Sequence, residues 1–431
     1  MTDVWPEFCP RGEPAGPAEG KGSMFARLFR PLGICLLLAF PALVVRFGGV
    51  ETPPVLSLAV FGAAVVASAF VLAWAAEAAE VDISGGLAIA LLALIAVLPE
   101  YAVDLYFAYT AAENPEHVAY AAANMTGSNR LLLGLGWSVV VLVALFVARR
   151  RSGKPIRELV LHPGYRVELG FLAIASVIAL VIPLTGQIHL VLGVALLAFF
   201  LFYLWRVSRV DTPEAELVGP AAVIGALPAR RRRPLVVGLF VVSAAVILLC
   251  AEPFANALVA TGSVLGIDEF LLVQWLAPLA SEAPEFIVAI LFALRGKGAI
   301  AIGTLVSAKV NQWTLLVGSL PIAYLIGGGP TALQLDGRQI EEFVLTATQT
   351  MLGVAVLLAL RFPRWAAWTL LGLFLVQFLF PGQEARYVIS GVYAVLAAIA
   401  VVRNRAHLVA TLRAPFARRS APEPELADAR A

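Results

Sequence analysis

Apolar residues in this chain run in long unbroken blocks. They show neither the alternation of a half-buried strand nor the single apolar stripe of a soluble helix. Blocks of membrane-spanning length fall at about 31–49, 54–76, 84–110, 118–147, 168–184, 187–206, 235–260, 269–294, 299–326, 341–360, 365–381 and 385–402. They predict an all-α polytopic membrane protein of about twelve transmembrane helices. The polar sequence between them divides the chain. Residues 1–30 read as a disordered leader, rich in Pro and Gly, with Met24 as an alternative start. Residues 31–206 form one membrane half, 207–234 a cytoplasmic linker and 235–403 a second half. Residues 404–431 read as a disordered tail.

Composition agrees. Of 431 residues, 60% are hydrophobic and 14% charged, where a soluble protein carries about a quarter charged. The net charge of +2 gives no reason to expect a nucleic-acid partner. Cys9, Cys35 and Cys250 have neither metal-ligand nor disulfide spacing. The histidines at 117, 162, 189 and 407 fall at loops or helix ends. No phosphate loop, HExxH or GxSxG motif is present. No cofactor is expected, and the partners implied are a transported cation and the bilayer.

Where the basic residues fall sets the topology. Arg149–Arg151, Lys154 and Arg157 follow block four, and Arg206, Arg209 and Arg230–Arg233 lie between blocks six and seven. Arg295 and Lys297 follow block eight, Arg361 and Arg364 block ten, and Arg403 and Arg405 block twelve. All five loops share one side if both termini are cytoplasmic, as expected of a multi-pass cell-membrane protein. The run Arg230–Arg233 reads as a topology signal or an anionic-lipid contact.

An internal match gives the first chemistry. The windows 87–108 and 272–293 align without a gap. Leucines at 87, 91 and 94 recur, as do Pro99, Glu100, Val103, Phe107 and Ala108, the second Pro-Glu being Pro284-Glu285. A carboxylate deep in a membrane helix is costly and points to function, and a proline beside it frees backbone groups where they line a cavity. The equivalent helices are five apart in order, an odd number, so the two copies have opposite topology. This is the pattern of a transporter with its ion site at the interface of inverted repeats.

Other polar residues cluster around the two glutamates in sequence. Asp104 lies one turn after Glu100, and Glu282 three residues before Glu285, each on a shared helix face. The next helix of the first half carries Asn124, Thr126, Ser128 and Asn129, then Arg130; that of the second carries Thr304, Ser307, Lys309, Asn311 and Gln312. These oxygens suit either ion ligation or interhelical hydrogen bonds. Arg130 and Lys309 are internal counter-charges expected to pair with the carboxylates, Lys309 with Glu282 or Glu285. Four acids against two bases leave a formal charge of −2. Glu77, Glu80 and Asp82 read as a solvated face, and Glu252, before Pro253, as a more distant carboxylate of the site.

These motifs resemble the calcium/cation antiporter superfamily, of the sodium/calcium exchanger type. Its repeats carry G-T-S-L-P-E and then G-N-x-x-G-S-N. Leu98-Pro99-Glu100 and Asn124-x-x-Gly127-Ser128-Asn129 match in the first half; Pro284-Glu285, Ser281 and Gly303 match in the second. The resemblance covers about 54–206 and 235–381. It implies that Glu100 and Glu285 bind the transported ion, with Ser281 in a hydroxyl position. Ala96, Val97, Ala308 and Leu132 stand where the family has polar ligands, Gln312 takes the other Asn/Asp position, and Arg130 and Lys309 have no counterpart. The expected function is secondary cation antiport, calcium or sodium against protons or sodium, with a lean toward protons. The alternatives are a degenerate scaffold locked by Arg130 and Lys309, and an intramembrane enzyme using the glutamates as acid and base.

Overall fold

The computed structural model describes residues 21–82, 97–208, 217, 219–380 and 382–417. Its helices are α1 Lys21–Gly48, α2 Pro54–Ala79, α3 Leu98–Thr110, α4 His117–Ser152, α5 Pro163–Thr185 and α6 Leu190–Val207. Then follow α7 Ala229–Leu265, α8 Glu269–Leu294, α9 Gly298–Ile326, α10 Gly337–Leu357, α11 Arg364–Leu379 and α12 Gln383–Arg403. Among the described residues ten are long and apolar enough to cross a membrane. The other two are α11, with 16 residues, and α3, whose predicted first part lies outside the described residues. Within the described residues each predicted block falls on one helix.

Two short antiparallel sheets show how the halves are related. Strand β1 (Glu158–Val160) follows α4 and pairs with β4 (Arg361–Pro363), which follows α10. Strand β2 (Gln187–His189) follows α5 and pairs with β3 (Ala332–Gln334), which follows α9. Matching each half's helices in order makes β1 equivalent to β3 and β2 to β4, so the equivalence exchanges the two sheets. Strands β1 and β2 flank α5, at its opposite ends. Equivalent connectors therefore lie at opposite ends of the bundle, and the repeats are inverted. Packing follows the same exchange: α4 touches α10 and α11, while α9 touches α5 and α6.

The basic loops meet at the β1/β4 end. Arg151 Nη1 donates to the Arg295 carbonyl at 2.9 Å, and Asn404 Nδ2 to Ala355 O at 2.9 Å. Arg206 Nε reaches Pro415 O at 2.7 Å.

Three segments are more ordered than their polarity predicts. Helix α1 begins at Lys21, inside the stretch read as leader. The linker contains a helical turn, Pro220–Gly225, and the arginine run already belongs to α7. There Arg232 grips Asp82 with two bonds of 2.7 Å, and Arg233 adds one of 3.1 Å. Asp82 is thus a tie between α2 and α7, not a solvated face, and its partners hold its carboxyl down at about 2. The tail forms α13 (Arg405–Arg413), docked by Arg166 Nη1 on Thr411 Oγ1 at 3.0 Å and by Phe416 stacked on Phe202. Its apolar residues are spaced among arginines, which hides a docking face in composition.

Candidate cation-binding site

Helices α3 and α8 carry the Pro-Glu pairs, and α4 and α9 cross beside them. In α8 the helix runs on through Pro284, which lacks the N–H that would bond the Ala280 carbonyl. Helices α4 and α9 each change to π-helix in mid-course, at Leu132–Trp137 and at Gln312–Leu316. The two π segments start at positions equivalent by the motif match. Such a turn re-aims side chains and is frequent at functional sites. Close approach is set by Gly127: a Cβ there would lie 1.8 Å from the Gln274 carbonyl oxygen of α8.

Gln312 Nε2 ties the two repeats together. It donates to Glu100 Oε1 at 3.2 Å and to Glu282 Oε1 at 2.5 Å. Both carboxylates are buried, with Ser128 against Glu100. Glu285 stands near Glu100 and Glu282 but is only half-buried. Asp104 is fully buried and accepts from Asn124 Nδ2 at 2.9 Å, one turn along α3. Ser281 is buried on α8, its hydroxyl donating to Ala277 O at 3.2 Å, which leaves its lone pairs for another partner. Asn129 turns its amide back to Met125 O at 3.0 Å, and its backbone carbonyl accepts from Lys309 Nζ.

Four expectations need correction. Lys309 is buried, but its partner is that Asn129 carbonyl, and the ion pairs among the described residues do not include it. Arg130 leaves the site altogether: it meets Glu342 at 2.5 Å and Gln377 at 2.9 Å, and lies 4.9 Å over Trp275. Its side chain reaches Glu342 on α10 and Gln377 on α11. Thr304 is exposed and bonds only its own helix, at Ile300 O, 3.2 Å; five residues before Lys309, it lies well off that helix face. Glu252 pairs with Arg46 at 2.7 Å at the exposed end of α1 and is no part of the site. With Arg130 removed, four acids face one base, a formal −3 in place of −2.

The sequence reading missed a second buried cluster. Glu342 also pairs with Arg386, which lies 3.7 Å from Glu341. These residues begin α10 and α12 and look like helix-end charges. A signal was present: α10 continues with Thr346, Thr348, Gln349 and Thr350, too polar for a lipid face, and all are buried. Tyr101, which donates to Asn311 Oδ1 at 2.9 Å, and buried Gln274 were also missed.

The family model for "Sodium/calcium exchanger protein" matches residues 53–209 and 235–382, nearly the two repeats described above. The chain belongs to that family. Among solved exchangers it is similar to the structure titled H+/Ca2+ exchanger CAX: 39% identity, 91% of this chain and 98% of that one, TM-score 0.85. Native YfkE is 15% identical over 86% of this chain and 99% of that one, with TM-score 0.55, and shares the exchanger fold. Comparison with curated proteins found no match.

Proposed function

We propose that the protein is a secondary cation antiporter that exchanges calcium for protons by alternating access. The observation that carries this is the carboxylate cluster between the repeats, in which the Gln312 amide joins Glu100 to Glu282 and no ion pair among the described residues neutralises either. Calcium takes six to eight oxygens. Glu100 and Glu285 are its main ligands, and Glu282, Asp104, Asn124, Ser128, Asn129 and Ser281 are the further oxygens within the same layer. Two carboxyl protons released for each calcium bound would keep the buried charge constant. Half-buried Glu285 is the group an arriving ion meets first. The resemblance to an H+/Ca2+ exchanger supports protons as the counter-ion.

The bundle end opposite the arginine loops supports cation capture. There Glu116, Asp268, Glu269 and Asp336, with Arg338, line a pocket of about 490 Å³, and a field of one sign concentrates counter-ions.

Proteoliposome flux tests the reading. Calcium uptake should be driven by a proton gradient without sodium. Uptake that needs sodium and ignores the pH gradient would replace protons as counter-ion; no flux of any cation would leave the scaffold. We also place both termini in the cytoplasm, from the shared basic end. Lys154→Cys and Lys297→Cys should resist an impermeant external thiol reagent in intact cells, and labelling of either reverses the orientation.

A further inference from the structure

Away from the ion site, α10, α11 and α12 leave a slot of about 340 Å³ between them. Its deep wall is apolar, formed by Leu352, Val356, Leu396 and Ala400. Its mouth is polar, with Arg361, Arg403, Asn404 and Glu158. The mouth lies where α10 and α12 end and α11 begins, at the basic end of the bundle. Trp365 borders it and is 55% exposed, as a side chain at the edge of the hydrocarbon layer is.

The charges at the mouth do not cancel. Arg361 bonds Glu158 at 2.7 Å, yet its side chain stays 59% exposed, with donors to spare. Arg403 is exposed and belongs to no ion pair among the described residues. Two arginines against one glutamate leave +1. Arg364 and Arg405 are exposed close by in sequence. Asn404 is committed elsewhere, to the Ala355 carbonyl. A greasy slot beneath two guanidinium groups matches a molecule with a hydrocarbon chain and an anionic head. Basic pockets between membrane helices bind acidic headgroups by this chemistry, and guanidinium forks fit phosphate oxygens. Soluble phosphate would leave the apolar wall unexplained.

We infer that this slot binds an anionic phospholipid, one acyl chain lying between α10, α11 and α12 and the phosphate on Arg361 and Arg403. The bound lipid braces the cytoplasmic ends of three helices, one of which, α10, packs on α4 of the ion site.

The test uses the full chain purified in mild detergent. Phosphatidylglycerol, phosphatidylcholine of the same acyl chains and inorganic phosphate are titrated separately while thermal unfolding and bound lipid by native mass spectrometry are followed. Phosphatidylglycerol should remain bound and raise the melting midpoint by several degrees; the other two should not. Arg403→Gln should weaken that binding about tenfold. Thr369→Phe, which fills the slot from its half-buried side, should abolish retention with both arginines in place. Equal binding of phosphatidylcholine overturns the headgroup assignment. A shift with phosphate alone, or retention unchanged in both variants, overturns the slot.

Discussion

Asn129 and Arg130 are neighbours on α4, yet they join different clusters of buried charge. Arg130 joins Arg386, Glu341 and Glu342, two positive and two negative groups in contact. Asn129 joins the layer of Glu100, Asp104, Glu282 and Glu285, which among the described residues Lys309 alone opposes. In the first cluster every charge meets its opposite inside the protein, and nothing is left for a mobile ion. In the second the missing positive charge has to arrive from outside, as a cation or as protons. Burying charge costs several kcal/mol per ion unless it is matched. The balanced cluster therefore fits a role in architecture, and we propose that the unbalanced one is where cargo binds. The contrast also weakens the locked-scaffold alternative, since Arg130 does not reach the site.

The largest effect expected from this contrast lies in the unbalanced cluster. Glu100→Gln and Glu285→Gln keep shape and hydrogen bonding but remove a negative charge. Calcium flux in proteoliposomes should fall to background for each, with normal membrane insertion. Normal flux in both would reduce the Pro-Glu repeat to a packing motif.

In the balanced cluster the loss should be of stability. Arg130→Met leaves Glu342 and Glu341 sharing Arg386, and removing one partner of a buried pair costs about 3–5 kcal/mol. The melting midpoint in detergent should drop, and adding Glu342→Gln should restore much of it because the charges balance again. The double variant melting no higher than Arg130→Met would sink the idea of a self-neutralising cluster.

Much of this architecture was legible in the chain. The blocks gave twelve helices because a lipid solvent leaves a simple signature. The Pro-Glu match singled out Glu100 and Glu285, which the fold brings near each other, because polar residues are rare enough in such helices to be compared. The partners of Arg130 and Lys309 were not legible. Both were assigned to the acids nearest in motif, but pairing depends on helix rotation and crossing, and the π-turns of α4 and α9 alter both. Thr304 failed for the same reason: it occupies the position equivalent to Asn124 yet faces out. Glu342 and Arg386 were hidden because charges at helix ends usually meet headgroups, whereas α10 is buried between its neighbours.

Lys309 should show a moderate effect. Among the described residues it is the single fixed cation of the unbalanced layer, held by a carbonyl that bears no full charge. Lys309→Ala removes repulsion toward an incoming divalent ion. The apparent affinity for calcium should rise, by roughly tenfold for each 1.4 kcal/mol of repulsion relieved, and the pH profile of flux should move. Curves that superimpose on the parent in affinity, pH midpoint and charge moved would make Lys309 a bystander.

The smallest effect belongs to Asp82, a charge matched like Glu342 but at the surface. Arg232 and Arg233 hold its carboxyl at about 2, below the ordinary 3.8. A carboxylate depressed by folding stabilises the fold fully above its ordinary value. That contribution is lost as pH falls from there through about 2. Water reaches this partly buried group and screens its exposed partner Arg233, so its worth is far below that of the buried cluster. Asp82→Asn should lower the melting midpoint slightly at pH 6 and much less near pH 2, where about half of the parent's Asp82 is already protonated. The comparison is the difference in midpoint between parent and variant, measured in detergent from pH 6 down to 2. A difference that stays constant across that range would mean that Asp82 joins α2 to α7 through hydrogen bonds, with its charge contributing nothing.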